Sequence, residues 1–369
     1  MSGKAGLRLV MTADAVGGIW QYATDLAAEL CRAGHEVTIA LLGPGPSAEQ
    51  RSQAQGIDGL RLVATGEPLD WLSAGPEPVE HAARTIAALA DAHRADLVHC
   101  NQPALAGAAA FSVPLVAVAH GCIATWREAA GRAPLDHVFG WHRDLMIRGL
   151  CAADAVVTPS AAFGATIQRV YGLPAQPLVV HNGRRAPDRS RGKVPMLDAV
   201  LTVGRLWDEV KGAALLDQVA GIIDLPLLAA GTLTGPRGET TSLKHMNSIG
   251  KVDDAQLHDL LAQRPIFVSA ARFEPFGLAV LEAAMAGCAL VLSDIATFRE
   301  LWDGAAVFVD PADAQGFAAA IAALAADPAR RQAMGEAAAA KAARYTPGAS
   351  ATKMERIYQS LLDKRRVAA

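Results

Sequence analysis

Short apolar runs alternate with segments whose apolar residues recur every three to four positions, and this alternation organises the first half of the chain. The runs at 7–12, 36–42, 60–64, 97–100, 115–119 and 155–158 have strand length and little polarity. Between the first two, Ile19, Tyr22, Ala23, Leu26, Ala27 and Leu30 fall on one helical face, and Gly34 closes that helix. Strands that are apolar throughout and separated by helices predict a parallel sheet covered on both faces. A second series of runs at 199–203, 227–230, 266–269 and 289–292 predicts another α/β domain. Polar and turn-forming residues cluster between the two series, over 182–195, with Arg184, Arg185, Asp188, Arg189, Ser190, Arg191 and Lys193; this stretch is the linker candidate. The Ala-rich segment 317–343 is interrupted at Asp327-Pro328 and predicts two helices. After Thr346-Pro347-Gly348, a last helix carries Met354, Ile357, Tyr358 and Leu361 on one side.

Composition narrows the class without naming an activity. A chain of 369 residues exceeds the usual single core, and with 51% hydrophobic and 19% charged residues it can fill two. The net charge of -3 gives no global attraction to nucleic acid. The five cysteines, Cys31, Cys100, Cys122, Cys151 and Cys288, contain no C-x-x-C pair and are expected as buried thiols in a reducing compartment. The run 7–11 is too short for a secretory signal, and 104–119 is short for a span and contains Pro114, so a cytoplasmic protein without a transmembrane helix is expected.

The chemistry concentrates in 273–282, Phe-Glu-Pro-Phe-Gly-Leu-Ala-Val-Leu-Glu. From Pro275 to Ser293 the only charged residue is Glu282, and an unpaired carboxylate in so apolar a segment is costly. Pro275 and Gly277 punctuate the start of a helix with Glu282 about one turn inside. Helical side chains lean toward the N-terminus, where free amides and the positive dipole end suit a phosphate. Two carboxylates beside a phosphate site fit a sugar nucleotide. The plainer alternative makes Glu282 exposed and Glu274 a dipole partner only.

This segment resembles the E-x7-E motif of the retaining glycosyltransferases of family four. The flanking 266–269 and 291–294 follow that family's strand, loop, helix, strand pattern, and most of the chain can be read in the same frame. The resemblance implies an α/β, GT-B architecture: two Rossmann-like domains facing across a cleft, 1–185 on the acceptor side and 186–349 binding the nucleotide sugar, with 350–369 returning to the first domain. It implies no obligatory cofactor, a UDP- or GDP-sugar as donor substrate, and an acceptor hydroxyl on a glycan, a lipid-linked glycan or a small molecule. Peripheral contact with a membrane stays open, and no nucleic acid partner is expected.

Other constellations fit the frame residue by residue. Gly17 and Gly18 follow the first strand and open a helix without the full G-x-G-x-x-G fingerprint, which disfavours NAD; they are either a tight turn or an anion-facing loop. Gly204-Arg205 ends a strand and Lys211-Gly212 precedes the next helix. Arg205 and Lys211 resemble the family's cation pair on the leaving diphosphate, with one residue more between them than is usual there, the alternative for Lys211 being a surface pair with Asp208 or Glu209. His120-Gly121 follows the run 115–119, where open α/β sheets place ligands, and the matching histidine orients the donor sugar. Asp254 is expected to cap the helix after Gly250-Lys251-Val252, and the resemblance brings Gly250 and Val252 to the nucleobase by their backbone. Amides near Phe276, Gly277 and Leu278 would face phosphate, Glu274 the sugar hydroxyls and Glu282 the ribose. His137, Trp141 and His142 are candidates for an acceptor surface but lack companion metal ligands, and Arg127, Arg132, Arg143 and Arg148 read as a solvated face. The absence of an Asp-x-Asp motif predicts metal independence. A nonhydrolysing sugar-nucleotide epimerase and a noncatalytic sugar-nucleotide-binding partner are the competing functions.

Overall fold

A computed structural model describes residues 6–132, 139–185 and 194–368. The chain forms two units, one comprising Met1–Gly183 with Pro347–Ala369 and the other Arg184–Thr346. Most of the linker candidate, 186–193, lies outside the described residues.

In the first unit the strands are β1 (Arg8–Asp14), β2 (Glu36–Leu42), β3 (Leu60–Ala64), β4 (Leu97–Cys100), β5 (Leu115–Val118), β6 (Ala155–Thr158) and β7 (Leu178–Val179). Among the described residues they form one parallel sheet in the order β3-β2-β1-β4-β5-β6-β7. The helices are α1 (Gly18–Arg32), α2 (Ala48–Gln55), α3 (Pro76–Ala92), α4 (Pro103–Ala106), α5 (Ile123–Ala129), α6 (Gly140–Ala152) and α7 (Ala161–Tyr171). Central strands are buried on both faces, which explains why they read as uninterrupted apolar runs: Leu9, Val10 and Met11 of β1 are each 1% exposed or less. The order reverses between β1 and β4, so the ends of β1, β4 and β5 border the crevice where such sheets bind ligands.

The second unit repeats that plan. Its strands β8 (Val200–Val203), β9 (Leu227–Ala230), β10 (Asn247–Gly250), β11 (Ile266–Ser269), β12 (Leu290–Ser293) and β13 (Ala306–Val309) run parallel in the order β10-β9-β8-β11-β12-β13. Its helices are α8 (Ala213–Ala220), α9 (Asp254–Ala262), α10 (Leu278–Ala286), α11 (Ala296–Trp302), α12 (Ala314–Ala326) and α13 (Pro328–Ala342). One core cluster gathers Leu281, Phe298 and Trp302, and a separate one gathers Leu216, Phe317 and Ile321. The order reverses between β8 and β11.

The last helix, α14 (Pro347–Ala368), belongs to the first unit: Met354, Tyr358 and Leu361 join the core cluster that holds Leu26 and Leu30 of α1. Ser350 Oγ anchors its start by donating to the His181 carbonyl at 2.5 Å. Among the described residues no helix is long and apolar enough to cross a membrane.

Three local expectations need correction. Asp253, not Asp254, caps α9: its carboxylate accepts from the Gln256 amide at 2.7 Å while Gln256 reaches back to the Asp253 amide at 3.0 Å. The reciprocal bond selects the residue three before the glutamine, leaving Asp254 as the first helical position. The cysteines are free but not uniformly buried, since Cys151 is exposed on α6. His142 is 1% exposed and bonded through Nε2 to Asp70 at 3.0 Å, and Trp141 packs edge-on against it, so His142 belongs to the interior and lines no acceptor surface. His137 lies outside the described residues.

Edge strand β10 is held by a buried carboxylate on α8. Asp217 accepts from the amides of Lys244, His245 and Met246, each at 2.9 Å. Burial acts to raise its pKa, but those three amides outweigh burial and hold the carboxyl below its usual value. The stabilisation is therefore present above the unfolded-state pKa and disappears as pH falls through the lowered folded value. Asp217→Ala should cost about 1–3 kcal/mol by leaving these amides without their acceptor, read as a lower urea midpoint for the second unit; an unchanged midpoint contradicts the assignment.

Candidate active site

The first cluster lies at the carboxyl ends of β8 and β11, on either side of the order reversal. The loop after β8 passes through Gly204, Arg205 and a 3-10 turn at Glu209–Lys211 before α8. Asp208, 2% exposed, fixes this loop: it takes the Arg205 guanidinium at 2.9 Å and the Val210 amide at 3.4 Å. The guanidinium also lies over the Trp207 ring, 5.6 Å from its centroid. Lys211 does not take the expected alternative partners. Its Nζ donates to Glu274 Oε2 at 2.7 Å and to the Phe273 carbonyl at 3.5 Å. Asp208 is instead committed to Arg205 because the turn directs Lys211 toward the β11 loop.

Two glycines permit this approach. Gly212 has φ +75°, and a Cβ there would stand 2.3 Å from the Ala270 carbonyl oxygen, so the β8 and β11 loops touch backbone to backbone. The Arg272 amide donates to the Val210 carbonyl at 2.8 Å across the same seam. Gly277, at φ +93°, caps α10 without a side chain and starts the helix beside Glu274, whose Cγ lies 3.3 Å from where a Cβ would project. Phe276 is buried below and Leu278 is half-buried. The Lys211 and Glu274 side chains keep 19% and 21% exposure, so the pair is sheltered yet reachable.

Glu282 lies on the next turn of α10 and is not unpaired. Arg184 Nε donates to its Oε1 at 2.7 Å, with side-chain exposures of 8% and 13%. Arg184 NH2 also reaches Asp254 at 4.0 Å. Burial raises the Glu282 carboxyl, and the charge and hydrogen bond of Arg184 oppose that rise. Arg184, which the sequence places only in a linker, is the counter-ion of the candidate residue Glu282. At the far edge Gly250, φ +71°, ends β10 and accepts from the Gly231 amide at 2.8 Å; Val252 follows, half-buried.

The second cluster lies in the first unit, at the ends of β1, β4 and β5. Gly17 is the extended N-cap of α1 and Gly18 its exposed first residue; Asp14 Oδ1 accepts from the Val16 amide at 2.9 Å to set the turn. His120 follows β5, with Nε2 2.9 Å from Asn101 Oδ1 and its ring edge-on to Tyr22 at 4.4 Å. Asn101 was missed, although it follows β4 as His120 follows β5 and the same strand-end rule would have found it. Burial pushes His99 down to about 4, and burial together with His99 pushes His120 down to about 3. Both imidazoles are neutral at pH 7.

Below about pH 6.5 the unfolded chain takes up protons that these folded histidines refuse. Stability therefore falls as pH falls, by about 1.4 kcal/mol per pH unit per histidine until each folded pKa is reached. Denaturation of the first unit between pH 7 and pH 5 should show this slope, and His99→Gln should flatten it. An equal slope in the variant would count against the neutral pair.

Among the described residues no group of three His, Cys, Asp or Glu side chains is placed to hold a metal ion. The candidates carried by the resemblance fall on these two sheets, whose strand orders share one pattern. Comparison with known proteins matches the same halves. Residues 16–185 match the Glycosyltransferase Family 4 model and residues 189–341 the Glycosyl transferases group 1 model. The chain is a glycosyltransferase of the family-four, GT-B type. Glycogen synthase of Mycobacterium tuberculosis is 28% identical over 86% of this chain and 84% of its own. D-inositol 3-phosphate glycosyltransferase of Kineococcus radiotolerans is 29% identical over 96% and 92%. Among solved structures, sucrose-phosphate synthase from Thermosynechococcus elongatus superposes with a TM-score of 0.76 at 19% identity, covering 97% of this chain and all, 100%, of that one. HepE of Anabaena, solved with UDP-glucose, gives 0.74 at 17% identity, covering 96% and 100%.

Proposed function

We propose that this glycosyltransferase moves a sugar from a nucleoside diphosphate sugar to an acceptor hydroxyl with retention of anomeric configuration and without a metal ion. The observation that carries the reading is the Lys211–Glu274 pair at 2.7 Å, beside Arg205 and the start of α10. As the bond from the anomeric carbon to the diphosphate breaks, negative charge grows on the departing phosphate. Arg205, Lys211 and the amides at Phe276, Gly277 and Leu278 would stabilise that charge with donors already in place. Glu274 would accept hydrogen bonds from sugar hydroxyls, Glu282 from the ribose, and Gly250 and Val252 would flank the base. Gly17 and Gly18 would leave room for the diphosphate or the acceptor, and His120 would accept a hydroxyl of the donor sugar. The acceptor oxygen would attack from the face the leaving group vacates, passing its proton to a leaving phosphate oxygen. Glu274 is not assigned as a nucleophile.

The relatives' names cover a polysaccharide, an inositol phosphate and, for phosphatidyl-myo-inositol mannosyltransferases, an inositol phospholipid. Glycan or glycoconjugate assembly is the proposed setting, with UDP-sugars tested first because HepE was solved with UDP-glucose. Purified protein is incubated with UDP-, GDP- and ADP-sugars, with glucan, inositol phosphate or phosphatidylinositol, and with or without chelator. Nucleoside diphosphate release insensitive to chelator and an NMR-defined retained linkage are expected. Isomerised donor would replace the reading with an epimerase, and an inverted linkage would remove the mechanism.

A further inference from the structure

The polar network under His120 has a single consistent assignment of protons. Asn101 Nδ2 donates to the Thr12 carbonyl at 2.7 Å, which orients the amide and turns Oδ1 toward the histidines. A carbonyl oxygen can only accept, so both ring nitrogens facing it carry hydrogen: His120 Nε2 at 2.9 Å and His99 Nε2 at 3.1 Å. His99 is neutral, and its Nδ1 is therefore the acceptor for the Tyr358 hydroxyl at 2.6 Å. Tyr22 OH stands 3.5 Å from His99 Nε2, at the margin of the same hydrogen. The Asn101 backbone amide donates to the Thr12 hydroxyl oxygen at 2.8 Å, which fixes the residue beside β1. Every member but His120 is buried, and Tyr358 comes from α14, the segment that rejoins the first unit after the whole second unit. Among the described residues nothing bonds His120 Nδ1, and the His120 side chain is only partly covered.

We propose that Thr12 and Asn101 form a positioning relay that holds His120 as the Nε2–H tautomer, leaving Nδ1 bare as an obligate hydrogen-bond acceptor. This rests on the reading that His120 meets a donor-sugar hydroxyl, and adds what kind of group it accepts there. The relay selects a donor whose hydroxyl points its hydrogen at the ring. A cationic or Nδ1–H imidazole would present a donor instead and mis-orient the sugar. Fixing a functional imidazole through the bond at its other nitrogen is the device used by histidine metal ligands, where loss of the outer partner costs about 10- to 100-fold.

The test uses the full 15N-labelled chain, long-range 1H–15N correlation of the imidazoles, and assignment by His99→Gln and His120→Gln. Wild type should show His120 with a pyrrole-like Nε2 and a pyridine-like Nδ1 from pH 8 to pH 5. Asn101→Leu removes the acceptor oxygen and keeps the size of the buried side chain, so the fold is retained. It should mix the tautomers of His99 and His120 and lower kcat on the donor on the order of tenfold. Nucleoside diphosphate affinity should be unchanged, because that ligand lacks the sugar. A His120 that is cationic or Nδ1–H in wild type overturns the relay, as does an Asn101→Leu variant with unchanged tautomers and turnover. Full donor turnover by His120→Gln would instead remove the sugar contact on which the proposal rests, whatever the spectra show of the tautomers.

Discussion

Lys211→Ala is expected to lower kcat on the order of a hundredfold or more, while nucleotide binding changes much less and the fold persists. A preorganised cation aimed at a departing phosphate contributes most where charge develops, and less to a ground state whose diphosphate is already charged. The ammonium is preorganised here: Glu274 and the Phe273 carbonyl hold Nζ, and the backbone seam at Gly212 fixes the loop that carries it. Fold retention follows from exposure, since at 21% the Glu274 side chain can recover water when its partner goes. Arg205→Ala should be milder than Lys211→Ala, because its guanidinium is 44% exposed and shares its charge with Asp208. Single-turnover rates and diphosphate titration separate the two terms. Loss of diphosphate affinity in Lys211→Ala with kcat preserved would move Lys211 from the reaction to simple anion binding. Glu274→Ala should also depress turnover, and a double-mutant cycle with Lys211 should be strongly non-additive, because the two act as one unit.

What could be read in the chain follows from which interactions leave a local trace. The buried parallel strands did, since burial on both faces demands unbroken apolar runs. The Asp327-Pro328 break between α12 and α13 also did, because proline fits the first helical turn and no later one. Edge strand β10 did not: three of its four residues, Asn247, Ser248 and Ile249, are exposed, so neither alternation nor an apolar run marks it. The two-residue β7 is too short for any period. Of the candidate site residues, Glu274 and Glu282 stood out through the E-x7-E pattern, and Arg205, Lys211 and His120 through residue type at loops and strand ends. Their partners did not, because pairing across loops has no sequence period. Arg184 and Glu282 lie 98 positions apart, and His99 and Tyr358 lie 259 apart. The cost of an unpaired Glu282 was visible in the sequence; the identity of its counter-ion was not.

Arg184→Ala should produce the largest loss of stability, about 3–5 kcal/mol in the second unit at pH 8, the range for breaking one half of a buried ion pair. Both side chains are nearly enclosed, and Nε meets Oε1 at 2.7 Å. Without the guanidinium, the burial that already raises the Glu282 carboxyl acts unopposed and its folded pKa climbs further. A carboxyl whose folded pKa lies above the unfolded value destabilises the fold most at high pH, and the penalty fades as pH falls through the folded pKa toward about 4.3. The gap between Arg184→Ala and wild type should therefore narrow from pH 8 to pH 5. Arg184→Lys should recover only part of the loss, because an ammonium cannot reproduce the guanidinium's reach to both Glu282 and Asp254. Replacing both partners with apolar residues, Arg184→Met with Glu282→Leu, should restore most of the stability while abolishing nucleotide binding, which divides the structural role of the pair from that of the carboxylate. Urea titrations of the four proteins at both pH values decide this. A pH-independent gap would mean that Glu282 stays ionised without Arg184, and a double variant no more stable than Arg184→Ala would locate the cost in lost packing instead of a stranded charge.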